Sequence, residues 1–280
     1  MRALLALVLL AATAVLAGCG GGGGGDGKAA KAEPQTPEAA VTAAARTWGL
    51  TKDPAVGCGT LATARLVREY YLSRERCEQG AAANNDVRTQ AAVSDVRVNG
   101  DGATARLRNR FDDLRPVEGT VELVREAGDW KVDVVRADYQ QSLVIALVTG
   151  AQRGLLTDQY ARQCFSGAVR KLDATETRRL LRTIDEDPQG KGVKRIVRLL
   201  RPCPTVVNSY VVRTVVAKLQ DVSPSPVFRR CLSKRLAVFT QLKALRLAEA
   251  ALTGDPTGRF QGFLDSLGIS CLGAVESAGR

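Results

Sequence analysis

Four cysteines in the second half of the chain recur at one period, and this recurrence restricts the fold more than any other feature. Cys164 and Cys231 are 67 positions apart, Cys203 and Cys271 are 68 apart, and 39 or 40 positions separate the cysteines within each pair. The segment "CFSGAVRKL" at the first cysteine matches "CLSKRLAVF" at its counterpart, and an Asp-Pro dipeptide follows 23 or 24 positions after each of them. Cysteines and prolines matched at one period indicate an internal repeat.

The repeat predicts an all-α domain over residues 138–280, with two units at about 142–203 and 206–271. Each unit would be stapled by its own disulfide and built from three or four short helices. The valine-rich residues 206–216 have the composition of a strand, but the repeat favours a helix there.

Two local signals mark helix starts within these units. Asp173 and Glu176 have the spacing of a capping box, and Ser225 precedes a proline at what would be the first helical position. Both signals agree with units made of short helices.

The start of the chain has the features of an export signal. Arg2 is followed by a run of small and aliphatic residues from Ala3 to Ala17. Such a run of about 15 residues is typical of a secretory signal and falls short of the ~20 that a membrane-spanning helix needs. Leu16–Cys19, "LAGC", resembles the lipobox of bacterial lipoproteins. The alternative is an ordinary signal peptide with an unrelated cysteine.

The resemblance to lipoproteins implies an address. In that family the signal, here residues 1–18, is cut before the cysteine, whose sulfur receives a diacylglyceryl group. Cys19 would then be the lipidation site, holding the protein on the extracytoplasmic face of the cell membrane. Residues 19–36, which begin with six consecutive glycines after the cysteine, would form a flexible tether.

An odd cysteine count agrees with this interpretation, because lipidation of Cys19 leaves six of the seven cysteines. Six cysteines in an oxidising compartment form three disulfides, for which fifteen pairings exist. The organisation of the chain favours Cys58–Cys77, Cys164–Cys203 and Cys231–Cys271, and the repeat supports the last two because they join cysteines within one unit. The chain has no histidine and no CxxC pair, so we predict neither a metal site nor a cofactor.

The first half of the chain reads as two helices followed by a sheet. Thr36-Pro37 and Asp53-Pro54 are helix starts, for helices that reach about Trp48 and Tyr71. Apolar residues then alternate with polar ones, and Gly-Asp turns separate the alternating segments. Four antiparallel strands are predicted, at 90–98, 103–111, 117–126 and 130–136.

This arrangement, ending in "GDWKVD" at Gly128–Asp133, resembles the nuclear transport factor 2-like (SnoaL-like) superfamily, including small versions found in actinobacterial lipoproteins. The resemblance covers about residues 37–137 and implies an α+β domain in which helices and a curled antiparallel sheet form a cone. The predicted fold is therefore an α+β domain followed by an all-α, internally duplicated domain. The cone could contain a pocket, for which the candidate residues are Trp48, Tyr70, Tyr71, Asn109 and Trp130.

The residues of the cone argue against catalysis. Enzymes of the superfamily use titratable side chains that project into the cone. Here the inward positions are aliphatic or aromatic except Asn109, whose amide cannot act as a general base. Tyr70 and Tyr71 border a pocket or simply pack at a helix end. We predict that the protein is not an enzyme.

Net charge separates the two halves of the chain. Residues 1–140 carry 18 cations and 18 acids, whereas residues 141–280 carry 22 cations and 11 acids. Helical phase places seven of these cations opposite apolar stripes. This candidate basic surface consists of Arg178, Arg179, Arg182, Lys194, Arg195, Arg198 and Arg201.

A basic helix face either solvates the fold or binds an anionic partner. Anionic lipid, an anionic wall polymer or an acidic protein would fit such a face. Nucleic acid would not, because aromatic residues do not interleave with the cations and the compartment is extracytoplasmic. Oligomeric state is not indicated by the sequence.

Three hypotheses for function follow. The leading one is a lipid-anchored, extracytoplasmic binding or scaffolding protein of the bacterial cell envelope. The alternative is a carrier or sensor of a small apolar ligand held in the cone, and the third is a SnoaL-like enzyme.

Overall fold

The computed structural model describes residues 36–83, 88–112, 114–151, 155–219, 222 and 225–278. The predicted signal peptide, Cys19 and the tether up to Gln35 lie outside this range. From Thr36 onward the chain forms one compact unit. It combines helices with a four-stranded antiparallel sheet, and three disulfides link its cysteines.

Helix α1 (Pro37–Leu50) begins where the sequence predicts. The amide of Ala39 donates to the Thr36 hydroxyl, and a proline occupies the first helical position. The next helix, α2 (Pro54–Gly59), is capped in the same way by the Asp53 carboxylate. These short polar side chains satisfy amide groups that have no partner inside the helix.

The predicted helix from Pro54 to Tyr71 is wrong as a continuous element. Thr63 donates its amide to the carbonyl of Val132 at 2.9 Å, and Val132 donates to the carbonyl of Leu61 at 2.9 Å. The chain at 61–63 is thereby paired with a strand and cannot remain helical. It resumes as α3 (Ala64–Leu66), a π-helical turn (Val67–Tyr71) and the unpredicted α4 (Arg74–Ala83).

The four predicted strands are confirmed to within two residues at each end. They pair in the order β1-β2-β3-β4, each antiparallel to the next, and buried residues alternate with exposed ones along β2. Helix α1 packs against the sheet through Val41, Ala45 and Trp48. The strands are β1 (Arg88–Asn99), β2 (Gly102–Phe111), β3 (Val117–Glu126) and β4 (Asp129–Val135).

Helix α5 (Ala137–Ala151) belongs to two hydrophobic cores at once. Tyr139 and Ala146 pack in the core formed by α1 and the sheet, whereas Val144 and Val148 pack in the core of the helices that follow. The helix approaches β3 closely at Gly119, where an added Cβ would lie 2.2 Å from the amide nitrogen of Tyr139.

Seven further helices follow α5 in the described part of the chain, and one covers the valine-rich segment, as the repeat predicts. The Asp173 capping box is present, and Ser225 caps the helix that starts at Pro226. The helices are α6 (Gln159–Val169), α7 (Ala174–Glu186), α8 (Lys191–Leu199), α9 (Pro204–Leu219), α10 (Pro226–Ala237), α11 (Gln241–Leu252) and α12 (Arg259–Ala278).

The predicted disulfide pairing is confirmed. The Cα atoms of the paired residues are 5.6 to 6.1 Å apart, which is ordinary disulfide geometry. The pairs are Cys58–Cys77, Cys164–Cys203 and Cys231–Cys271. The first bond joins α2 to α4 and the third joins α10 to α12.

Among the helices of the described residues, none is both long and apolar enough to cross a membrane.

Candidate functional site

Helix α8 separates charge from apolar surface. Val193, Ile196 and Val197 are buried in the helical core, whereas Lys194, Arg195 and Arg198 are exposed, and so is Arg201 just beyond the helix end. Residues three or four apart lie on one side of a helix, so the cations form a stripe that the core does not use.

Helix α11 lies antiparallel beside α8 and extends this stripe. Lys194 Nζ is 3.9 Å from Glu249 Oε1 at one end, and the Gln241 side chain donates to the carbonyl of Arg201 at the other. Lys243, Arg246 and Glu249 are spaced by three residues and therefore follow one strip of α11. Both of its cations are exposed.

We refer to six exposed cations, three on α8, one just beyond its end and two on α11, as the α8–α11 basic surface. Sequence reasoning missed the α11 cations because only tertiary contacts show that α11 lies beside α8. The surface consists of Lys194, Arg195, Arg198, Arg201, Lys243 and Arg246.

Two charged side chains of helix α7 form ion pairs with the N-terminal part of the chain. Arg178 Nη1 lies 3.5 Å from Glu69 Oε2, and Glu186 accepts a hydrogen bond of 3.1 Å from Arg76. Both partners belong to the N-terminal part of the chain. Arg179 is exposed, while Arg178 and Arg182 are half-buried. Arg178, which helical phase assigned to the basic surface, is therefore paired with an acid of the N-terminal part.

A cleft of about 480 Å³ lies where α7 meets the N-terminal part of the chain. Its walls come from α3, the π-helical turn, β3, β4, and the first turns of α5 and α7. Tyr70, a predicted pocket residue, lines it. The charged lining residues are three cations and three acids, namely Arg65, Arg136, Arg178, Glu69, Glu122 and Asp133.

The charges of the cleft neutralise one another. Arg65 pairs with Glu69 at 3.2 Å and with Asp133 at 2.9 Å, and Arg136 pairs with Glu122. Hydrogen bonding to Glu69, together with the negative charge of Asp133, raises the pKa of Arg65 above its ordinary value. The charged side chains that line the cleft are thus largely paired with one another.

The remaining predicted pocket residues pack together in the N-terminal core. Trp48, Asn109 and Trp130 are buried, and Asn109 Nδ2 donates to the Tyr139 hydroxyl at 2.8 Å. The rings of Trp48 and Tyr139 have centroids 6.4 Å apart. Asn109 therefore anchors α5 to the sheet.

The other predicted pocket residue, Tyr71, stacks edge-on against Tyr70, with ring centroids 4.8 Å apart. Both tyrosines are half-buried at the end of the π-helical turn. Tyr71 therefore packs against its neighbour, while Tyr70 makes the same contact and also lines the cleft.

Within the described ranges, no three Cys, Asp or Glu side chains lie close enough together to hold a metal ion. Comparisons of the chain with models of known protein families, with curated proteins and with solved structures found no match.

Proposed function

We propose that this is a lipid-anchored, non-catalytic protein on the extracytoplasmic face of a bacterial membrane, where it binds an anionic surface. The lipobox-like residues Leu16–Cys19 and the apolar run before them support the anchor. The three disulfides use the six cysteines from Cys58 to Cys271, so Cys19 remains for a lipid to modify. An anchor of two or three acyl chains would hold the protein stably.

We propose further that the N-terminal part belongs to the nuclear transport factor 2-like superfamily and that the helical part arose by duplication. The packing of α1 on a four-stranded antiparallel sheet supports a nuclear transport factor 2-like cone in the N-terminal part. Matched helix caps support a duplication in the helical part: Asp158 and Ser225, and likewise Asp173 and Thr240, lie 67 positions apart. In both units the Asp-Pro aspartate also accepts amide hydrogen bonds from the following helix.

The observation that carries the proposed binding function is the α8–α11 basic surface. Its six cations are exposed. The ion pair between Lys194 Nζ and Glu249 Oε1 is long, at 3.9 Å. Each Lys or Arg near an anionic leaflet contributes about 1 kcal/mol, within a Debye length of about 8 Å. Six cations on one surface can therefore hold a protein that a tether already keeps near the membrane.

Charge reversal on α8 tests the proposal. The mature chain with Cys19→Ser, which lacks the lipid, is mixed with phosphatidylglycerol-containing vesicles at low salt and sedimented. We expect it to bind these vesicles, to ignore phosphatidylcholine vesicles and to be released by salt. Lys194→Glu, Arg195→Glu and Arg198→Glu together should weaken binding by roughly 100-fold or more, since three cations of about 1 kcal/mol are lost.

A matched control reverses three exposed cations of the N-terminal part, Arg46, Arg97 and Arg110. The change in net charge is then identical, but the α8–α11 basic surface is intact and binding should stay close to wild type. No binding by the wild type at low salt, either to these vesicles or to isolated anionic wall polymer, would refute the proposal. Equal weakening by the two triple variants would show that net charge alone, rather than this surface, attracts the protein.

A further inference from the structure

The turn between α10 and α11 exposes two large apolar side chains. Val238 is 78% exposed and Leu242 is 51% exposed, and the turn separates them by three residues. Single exposed aliphatic residues are common on protein surfaces. Here Val238 ends α10 and Leu242 lies in the first turn of α11, so two exposed side chains flank one short turn.

The turn is held in place by its own contacts. The Thr240 hydroxyl caps α11 at the amide of Lys243, and Phe239 packs edge-on against Phe263 with ring centroids 5.3 Å apart. The ammonium group of Lys243 lies 5.0 and 5.1 Å from the two ring centroids. Phe239 thus points inward while Val238 and Leu242 are left outside by an ordered turn.

The chain segment that contains the turn carries cations and no acids. Residues 226–248 contain six cations and no acid, and the Gln241 side chain joins the turn to Arg201 at the end of α8. The turn is therefore continuous with the α8–α11 basic surface. The six cations are Arg229, Arg230, Lys234, Arg235, Lys243 and Arg246.

Exposed aliphatic side chains among cations fit a lipid bilayer better than the other anionic partners. Apolar side chains enter the region between headgroups and acyl chains while neighbouring Lys and Arg contact anionic headgroups. A water-soluble wall polymer offers the same negative charge but no apolar layer. Val238 and Leu242 would then gain nothing from contact with it.

We infer that the α10–α11 turn is a membrane-docking element, in which Val238 and Leu242 enter an anionic bilayer while Arg201, Lys243 and Arg246 bind its headgroups. The inference rests on the proposed function and deepens it by naming the partner as a lipid surface. The protein then meets its membrane at two places, the N-terminal lipid and this turn.

The test removes the apolar contribution without changing the charge. In the Cys19→Ser chain, Val238→Ser and Leu242→Ser together should weaken binding to phosphatidylglycerol-containing vesicles by roughly tenfold, from the apolar area no longer buried. The weakening should persist at intermediate salt, where headgroup attraction is already reduced. Both side chains are largely exposed, so we expect the thermal unfolding curve to stay unchanged. An unchanged curve shows that the fold is intact.

Leu72→Ser is the control, because Leu72 is also exposed, at 42%, but lies in the N-terminal part of the chain, between Glu69 and Glu75 in sequence. Its binding should equal that of the wild type. Insertion is read directly from Leu242→Trp, whose fluorescence should be quenched by brominated lipids, whereas Leu72→Trp should not respond. The native Trp48 and Trp130 are buried and provide a constant background.

The outcomes separate this inference from the proposed function. If the α8 triple variant loses vesicle binding but the serine double variant keeps it, insertion is refuted and the proposed function still stands. Binding to isolated anionic wall polymer but not to vesicles overturns the lipid partner. An absence of binding to either refutes both.

Discussion

Replacing Gly119 by alanine should be strongly destabilising, although the change adds one methyl group. The Cβ of alanine would lie 2.2 Å from the Tyr139 amide nitrogen, 2.4 Å from its Cα and 2.7 Å from its Cβ. Side-chain carbons normally approach such atoms no closer than about 3.4 Å, so the start of α5 must move away from β3 by roughly 1 Å. The nearest atoms are backbone, and no rotamer change can relieve the overlap.

The magnitude follows from what that movement disrupts. Overpacking a core costs about 1–3 kcal/mol. The shift also strains the bonds from the Thr120 amide and hydroxyl to the Asp138 carboxylate, at 3.0 and 2.8 Å, and the bond from the Glu118 amide to the Ser142 hydroxyl at 3.0 Å. At about 1 kcal/mol each, partial loss of these bonds brings the expected loss to about 3 kcal/mol.

The assay is urea unfolding of the Cys19→Ser chain with its disulfides intact, followed by circular dichroism and by tryptophan fluorescence. Trp48 and Trp130 lie in the N-terminal core, while most of the circular dichroism comes from the helices. Because α5 contributes to both cores, both signals should shift to lower urea in Gly119→Ala.

Gly167→Ala on α6 is the matched control, because its Cβ would meet no atom within 4 Å. Alanine there should stabilise the helix by up to about 1 kcal/mol. A free energy of unfolding for Gly119→Ala within about 0.5 kcal/mol of the wild type would refute the close approach of α5 to β3.

Two further predictions concern the chain terminus and acid stability. Intact-mass measurement of membrane-extracted protein should find a chain that begins at Cys19 and carries acyl mass, and Cys19→Ala should release the protein; an unmodified Cys19 would contradict the lipoprotein assignment. Hydrogen bonds from the Lys191 and Gly190 amides lower the pKa of Asp187 below its ordinary value of 3.8, so its stabilising effect is full above that value and is lost as pH falls through the lower folded-state pKa. The stability difference between wild type and Asp187→Asn should therefore shrink in urea titrations below about pH 3.8, and a constant difference would argue against this carboxylate.

The site was predictable from sequence only where a single helix defines it. The period of α8 separates Lys194, Arg195 and Arg198 from the buried residues, and the structure leaves these cations exposed. The partners of Arg178 and the cations of α11 depend on which helices become neighbours. Phase along one helix carries no such information. Asn109 is similar, because its inward position follows from the strand period but its Tyr139 partner comes from a helix 30 residues later.

Local chemistry in the sequence determined much of the fold. Strand alternation and glycine turns placed the four strands, and polar residues before proline or spaced as a capping box placed helix starts at Thr36, Asp173 and Ser225. The matched spacing of the cysteines determined their pairing. These signals act within a few residues, or recur at one period, so they can be recognised before the chain is folded.

Only the tertiary structure decided where the chain departs from local preference. Residues 61–63 leave the helix because Val132, about 70 positions later, offers backbone hydrogen bonds that no local pattern announces. Because Gly119 has no side chain, α5 can pack directly on β3, and this one helix contributes residues to both hydrophobic cores. The cleft and the α8–α11 basic surface likewise exist because distant segments meet, and the free energy of those contacts is gained only when the whole chain packs.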